Sequence, residues 1–184
     1  MDNNILTIRG RVPRISPDAF VAHTAVVIGD VEIGAGSSLW YNCVVRGDMN
    51  EVRIGRNVNI QDGTVIHVDS RTYGTYIHDN VTIGHMALIH ACVLQKGSMV
   101  GMRATVMDGA VVEEGALVAA GALVPPGKRI GAGEVWAGAP ARKLRRIADR
   151  DRDMLEYIWP SYRDLGEEYR GAGFDLRDLT MVRK

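Results

Sequence analysis

A parallel β-helix followed by one α-helix is the fold that this 184-residue sequence predicts, and three observations predict it. The first is a period of six. Aliphatic residues fall at Val21, Val27, Ile33, Leu39 and Val45, then at Ile54, Ile60 and Ile66, then at Ile77, Ile83 and Ile89. After a one-residue slip they resume as Leu94, Val100, Val106, Val112, Val118, Val124, Ile130 and Trp136. The second is a small or β-branched residue four places after most of them: Ala25, Val31, Ser37, Cys43, Val58, Thr64, Val81, Ala87, Val93, Ser98, Ala104, Ala110, Ala116 and Ala122. An α-helix would scatter a period of six around its surface, and a flat antiparallel sheet would show period two with hairpin turns. Short strands joined by tight corners, three to a coil, put each aliphatic residue inside a triangular prism and each small residue at its cramped edge, which is a solenoid. The third observation is a change of period after residue 142. Leu144, Ile147, Leu155, Ile158, Tyr162, Leu165 and Tyr169 mostly follow three-and-four spacing with charges between them, an amphipathic helix.

Taken in order, residues 1–20 hold one strand-like run (Ile5, Leu6, Ile8) and two turn-forming prolines, Pro13 and Pro17, and are expected to cover the first coil. The prism then runs to residue 142. Nine residues separate Val45 from Ile54 instead of six, which predicts a three-residue loop bulging outward around Met49, Asn50 and Glu51. Ile66 and Ile77 are eleven apart, an insertion of five residues within 68–76; such insertions map to loops, often on the functional face. From Leu94 to Val124 the anchors run without a break and read as scaffold. Pro125-Pro126 and Gly138-Ala139-Pro140-Ala141-Arg142 are expected to close the prism. Residues 143–173 are then the helix, which Pro160 should kink or divide, and residues 174–184 are a tail.

Composition sets limits. One domain is expected at this length. Lys plus Arg equals Asp plus Glu at 22 each, so no basic surface points to nucleic acid and no acidic arm to regulation. The start, Met1-Asp2-Asn3-Asn4, has no apolar signal region, and no apolar run approaches a membrane span, so a soluble cytoplasmic protein with a small-molecule substrate and no membrane partner is expected. Cys43 and Cys92 are placed on coils about two levels apart, roughly 10 Å at the interstrand spacing of about 4.8 Å, which is too far for a disulfide. Both are expected to be reduced core residues.

The repeat also orients the polar residues. Counting sixes with the insertions assigns Ile54 and Ile77 to a first wall, Ile60 and Ile83 to a second, and Ile66, Ile89 and Val45 to a third. The residue after each points outward. Arg46, His67 and His90 therefore form one outward column on the third wall, where neighbours about 4.8 Å apart can converge on one ion. His85 lies two places after Ile83 and stays off that column. A catalytic zinc takes three protein ligands and keeps one position open; one chain supplies two here, which leaves His85 of a neighbouring subunit as a candidate third in a threefold assembly. His23 and His78 read as solvated wall residues.

Arg46-Gly47-Asp48, the run Asn59-Ile60-Gln61-Asp62-Gly63 with His67, and Gly84-His85 with His90 resemble the γ-class carbonic anhydrases and their bacterial homologues, including the phenylacetate-pathway and carnitine-operon hexapeptide-repeat proteins. The resemblance covers residues 10–170 or so. It implies a left-handed β-helix with a C-terminal helix, a homotrimer, and reversible hydration of carbon dioxide by a metal-bound hydroxide at subunit interfaces. Residue by residue it implies His67 and His90 as metal ligands from one subunit and His85 from the next. Gln61 is implied to orient the hydroxide, Arg46 and Asp48 to form an intersubunit pair beside the bicarbonate site, and Asn59 and Asp62 to belong to the same polar cluster. The metal is expected to be zinc, with iron or cobalt equally suited to three imidazoles.

One departure bears on activity. The family prototype carries glutamates in a loop after the first ligand for proton export, whereas residues 68–76 offer only Asp69, and the position after Asp48 is Met49. Two other functions therefore stay open: an acyl-CoA thioesterase or hexapeptide acyltransferase, the latter also matched by the exit segment around Pro140, and a non-catalytic trimeric scaffold.

Overall fold

Each short strand offers one inward side chain, and parallel register stacks it on its counterpart in the next coil. In the computed structural model, which describes residues 4–178, this happens along three walls through seven coils. The first wall stacks Ile15, Ile33, Ile54, Ile77, Leu94, Val112 and Ile130. The second stacks Val21, Leu39, Ile60, Ile83, Val100, Val118 and Trp136. The third stacks Ile5, Val27, Val45, Ile66, Ile89, Val106 and Val124. Nearly all of these are buried in one continuous core, each aliphatic side chain contributing about 1.5–3 kcal/mol by leaving water. Most corners turn on a residue of positive φ, Gly or Asn where the chain allows it, as at Asn42, Asn57 and Asn80.

The slip after Ile89 is a corner one residue short. Ala91 takes its left-handed position at φ 48°, so Cys92, not Val93, fills the buried edge. Cys43 and Cys92 are both buried and free, and they lie on different corners of the prism, one before the third wall and one before the first. Burial pushes both thiols up to about 12.

Several expectations change. Residues 1–20 are expected only to cover the first coil; those described, from residue 4 on, form it. Ile5–Leu6, Arg14–Ile15 and Phe20–Val21 pair in register with the coil above, because only the link between Leu6 and Arg14 departs from the repeat. The insertion after Val45 is not a protruding loop but part of one extended strand, Val44–Ile54, in which residues 48–51 oppose Asp30 alone. Pro125 and Pro126 occupy an ordinary corner, and the prism continues to Trp136. It is closed by the antiparallel pairing of Glu134–Ala137 with Arg142–Arg146, so residues 143–146, expected as helix, are strand. The helix, α1, spans Asp149–Gly171 and runs through Pro160 without dividing. Its start is fixed by Asp151, which accepts from the Ala148 N–H at 2.7 Å and pairs with Arg145. Helix α1 lies on the second wall, where Tyr162 and Tyr169 pack against Phe20, Ala22 and Trp40.

The tail is fastened as far as it is described; residues 179–184 lie outside the described residues. Asp175, 1% exposed, accepts from the Val21 N–H at 2.9 Å and from Arg177 at 2.7 Å, and Arg177 donates to the Ser16 and Ala19 carbonyls of the first coil. Among the described residues no helix is long and apolar enough to cross a membrane.

Candidate metal centre

Chemistry gathers at the two ends of the third wall. Ile66 and Ile89 point inward in register, so His67 and His90 stand outward as Cα partners in adjacent coils, their ring centroids 5.3 Å apart. Val45 pairs with Ile66, so Arg46 extends this column one coil down, as the spacing predicts. Arg46 Nη1 donates to Asp48 Oδ2 at 2.7 Å, and His67 Nε2 lies 3.0 Å from Asp48 Oδ1. Within one chain Arg46 and Asp48 form an ion pair. Burial raises the Asp48 carboxyl, but the hydrogen bonds from Arg46 and His67 outweigh it and hold the group below its ordinary value. At the other side of the column, His90 Nδ1 donates to Asp108 Oδ1 from the next coil.

His85 stands at the opposite end of the wall, in the corner after the second wall. Ile60 pairs with Ile83, which sets Gln61 beside Gly84 and Asp62 beside His85, with His85 Nδ1 2.9 Å from Asp62 Oδ2. Asn59 and Gln61 are buried on the second wall; Gln61 Nε2 donates to Asn59 Oδ1 at 3.1 Å, and Asn59 Nδ2 to Thr82 Oγ1 at 2.8 Å. In a single chain these residues form two groups: Arg46 and Asp48 with His67 and His90, and Asn59, Gln61 and Asp62 with His85. Tyr41 and Tyr162 border the second group. Burial pushes both phenols up, and the charge of Asp62 adds to it.

All three imidazoles share one pattern. A carboxylate engages one nitrogen of each ring, and an ionised carboxylate only accepts. In His67 and His90 the hydrogen-bonded nitrogen donates and the other, Nδ1 in His67 and Nε2 in His90, presents its lone pair, while His85 Nδ1 lies against Asp62 as an ion-pair contact. Neutral imidazoles whose second nitrogen donates to a carboxylate are what a divalent cation takes as ligands, so the residues fit a metal. Among the described residues of one chain, no three His, Cys, Asp or Glu side chains form a cage for an ion. Within one chain the two groups stand apart, at opposite ends of the third wall. His23 stacks edge-on against Tyr41 and His78 is exposed on the first wall; neither joins.

Comparison with known proteins shows the family. The chain is 37% identical over 166 residues to a carbonic anhydrase from Geobacillus kaustophilus, covering 90% of this chain and 91% of that one. The γ-class carbonic anhydrases and this chain share a family. It is 44% identical over 183 residues to the mitochondrial gamma carbonic anhydrase 1 of Arabidopsis thaliana, covering 97% of this chain but 66% of the plant protein, so the chain spans about two thirds of that relative's length. Among solved structures, a hexapeptide transferase family protein from Anaplasma phagocytophilum superposes with a TM-score of 0.88 at 41% identity, covering 92% of this chain and 99% of that one. No family model matches the chain. Within this carbonic anhydrase family framework, reading residues 94–124 as scaffold missed Asp108. Two places past Val106, which pairs with Ile89, it falls at the His90 edge, so the count of sixes reaches it. Tyr162 had no such signal, since its place depends on how α1 docks.

Proposed function

We propose that the chain is a subunit of a homotrimeric, metal-dependent carbonic anhydrase that hydrates carbon dioxide reversibly at its subunit interfaces. The observation that carries this is the set of three histidines, each with a carboxylate beside one ring nitrogen, divided between the ends of one wall. A largely aliphatic column of Val26, Val44, Val65, Leu88, Thr105 and Leu123 runs outward along that wall, stacked in register. Val65, Leu88 and Leu123 are 39%, 37% and 37% exposed, and Met86 and Met102 flank His85 at 61% and 53%. Such a stripe calls for cover, and a face with unlike ends closes into a ring when the same contact repeats head to tail. His85, with Asn59, Gln61 and Asp62, then meets His67 and His90 of the next chain.

A divalent cation, zinc or equally iron or cobalt, would lower the pKa of a water it binds from 15.7 to about 7. The chain's own residues aim and receive. Asn59 fixes the Gln61 amide by accepting from Nε2, which turns Oε1 to accept from the attacking water and orient it toward carbon dioxide. Arg46 offers positive charge to the bicarbonate product. Carbon dioxide and water give bicarbonate and one proton, and that proton must leave. Asp69 is a poor carrier: the Arg71 and Thr72 N–H groups donate to its Oδ2 at 2.9 and 2.7 Å and hold it below the usual carboxylate range, ionised at neutral pH. External buffer should do this work. Stopped-flow hydration by metal-loaded protein should accelerate as imidazole buffer is raised; no hydration by fully loaded protein would overturn the reading. The transferase name of the Anaplasma relative favours an acyl-handling alternative, which an acyl-CoA hydrolysis and transfer screen on the same preparation decides.

A further inference from the structure

We propose that Asp108 is the positioning residue for His90, fixing its tautomer and ring orientation so that Nε2 is the atom offered to a divalent cation. This deepens the metal-centre reading above and rests on it. Val106 pairs with Ile89, so the residue two places on rises beside His90 at the same edge of the third wall. There Asp108 Oδ1 accepts from His90 Nδ1, with the two side chains 37% and 26% exposed. Among the described residues no other side chain engages that ring nitrogen: Asp48 lies at His67, and Asp62 at His85.

The backbone around Asp108 is held independently of its carboxylate. The Gly109 N–H donates to the Ala91 carbonyl at 2.7 Å, tying this corner to the residue after His90, and the Gly127 N–H donates to the Asp108 carbonyl at 2.7 Å. The inserted loop reaches the same corner. The Tyr73 ring lies against Gly109, where an added Cβ would come within 3.4 Å of it, so Tyr73 covers one side of the Asp108 corner. A carboxylate so placed is expressed through the imidazole and not through the fold. Carboxylates behind ligating histidines raise their basicity and fix the open nitrogen, and losing one costs about 10–100-fold in metal affinity.

The test uses the full chain with Asp108→Ala and Asp108→Asn. Nitrogen-15 spectra of the metal-free protein report the histidine tautomers, competition against a chromophoric chelator reports cobalt(II) affinity, and thermal melting reports the fold. Wild-type His90 should carry its proton on Nδ1. Asp108→Ala should shift it toward Nε2 and lower cobalt affinity by about 10–100-fold with little change in melting. Asp108→Asn, which keeps an acceptor oxygen, should hold the tautomer and lose less affinity. A wild-type tautomer in Asp108→Ala, or undiminished cobalt affinity, overturns the role of Asp108 and leaves the metal centre standing. A lowered melting point with unchanged tautomer assigns Asp108 to the fold and overturns the role as well. Wild-type protein that takes up no cobalt, zinc or iron overturns the metal centre and this assignment together.

Discussion

Because His85 stands at one end of the third wall and His67 and His90 at the other, two defective chains should repair each other. His85→Ala and His90→Ala proteins should each fold, since these side chains lie outside the stacked core, and each should lack metal, because two imidazoles bind far more weakly than three. Co-express them with different affinity tags and isolate assemblies that carry both. In a head-to-tail ring of three, each interface takes His67 and His90 from one chain and His85 from the next. It is intact only where a His85→Ala chain supplies the first pair and a His90→Ala chain supplies the third ligand. Whether the ring is two-to-one or one-to-two, following its interfaces around gives about one intact site of the three. Metal analysis of the doubly tagged trimer should therefore return about one ion per trimer, against about three for wild type, with activity restored in the same proportion. Mass spectrometry confirms the hybrid. If confirmed hybrid trimers hold no metal, the ligands are not shared between chains, and the division of the site along the wall has been misread.

Two further outcomes follow from the core and the tail. The Asp175 carboxylate is raised by burial, but Arg177 and the Val21 N–H outweigh this and bring it below its ordinary value. A depressed folded pKa contributes stability that is present above the unfolded value of about 3.9 and is lost as pH falls through the lower folded value. Asp175→Asn should cost about 3 kcal/mol at neutral pH by urea unfolding, and its stability should fall less steeply than wild type as pH drops below about 4; parallel acid profiles would dismiss the tail clasp. Cys43 and Cys92, pushed up to about 12 by burial, should resist alkylation at pH 8 in folded protein and react fully in urea, and modification at the native rate of an exposed thiol would contradict their placement.

The walls and the histidine column were legible because one inward aliphatic residue per strand repeats without regard to what the corners carry. Ile66 and Ile89 fix where His67 and His90 point whether or not either binds anything. Other features follow from contacts that have no period. Ile15 is six residues before Val21, yet the link between Leu6 and Arg14 hides that Ile5 completes the same coil. The one-residue slip could be counted, but its position could not, so Val93 took the place that belongs to Cys92. Leu144 and Ile147 mimic a helical spacing, while the antiparallel partner that makes residues 142–146 a strand lies back across a turn. The Asp175–Arg177 clasp answers to carbonyls more than 150 positions away. That His85 stays off the column of His67 and His90 followed from the same count, whereas the end of the wall a residue occupies depends on the corner.

Helix α1 begins beside the closing hairpin, lies along the second wall, and hands the chain to a tail buttoned onto the first coil. Its 23 residues span about 34 Å at 1.5 Å per residue, and the six steps between seven coils span about 29 Å at about 4.8 Å each. The helix is thus a strut cut to the height of the stack. Adding or deleting one coil in the upper part of the prism would leave the histidine column untouched, yet it would carry Asp175 off its berth by about 4.8 Å. About three helical residues would have to be gained or lost with it. Coil number and helix length in this architecture should therefore change together, as a beam and its tie rod do.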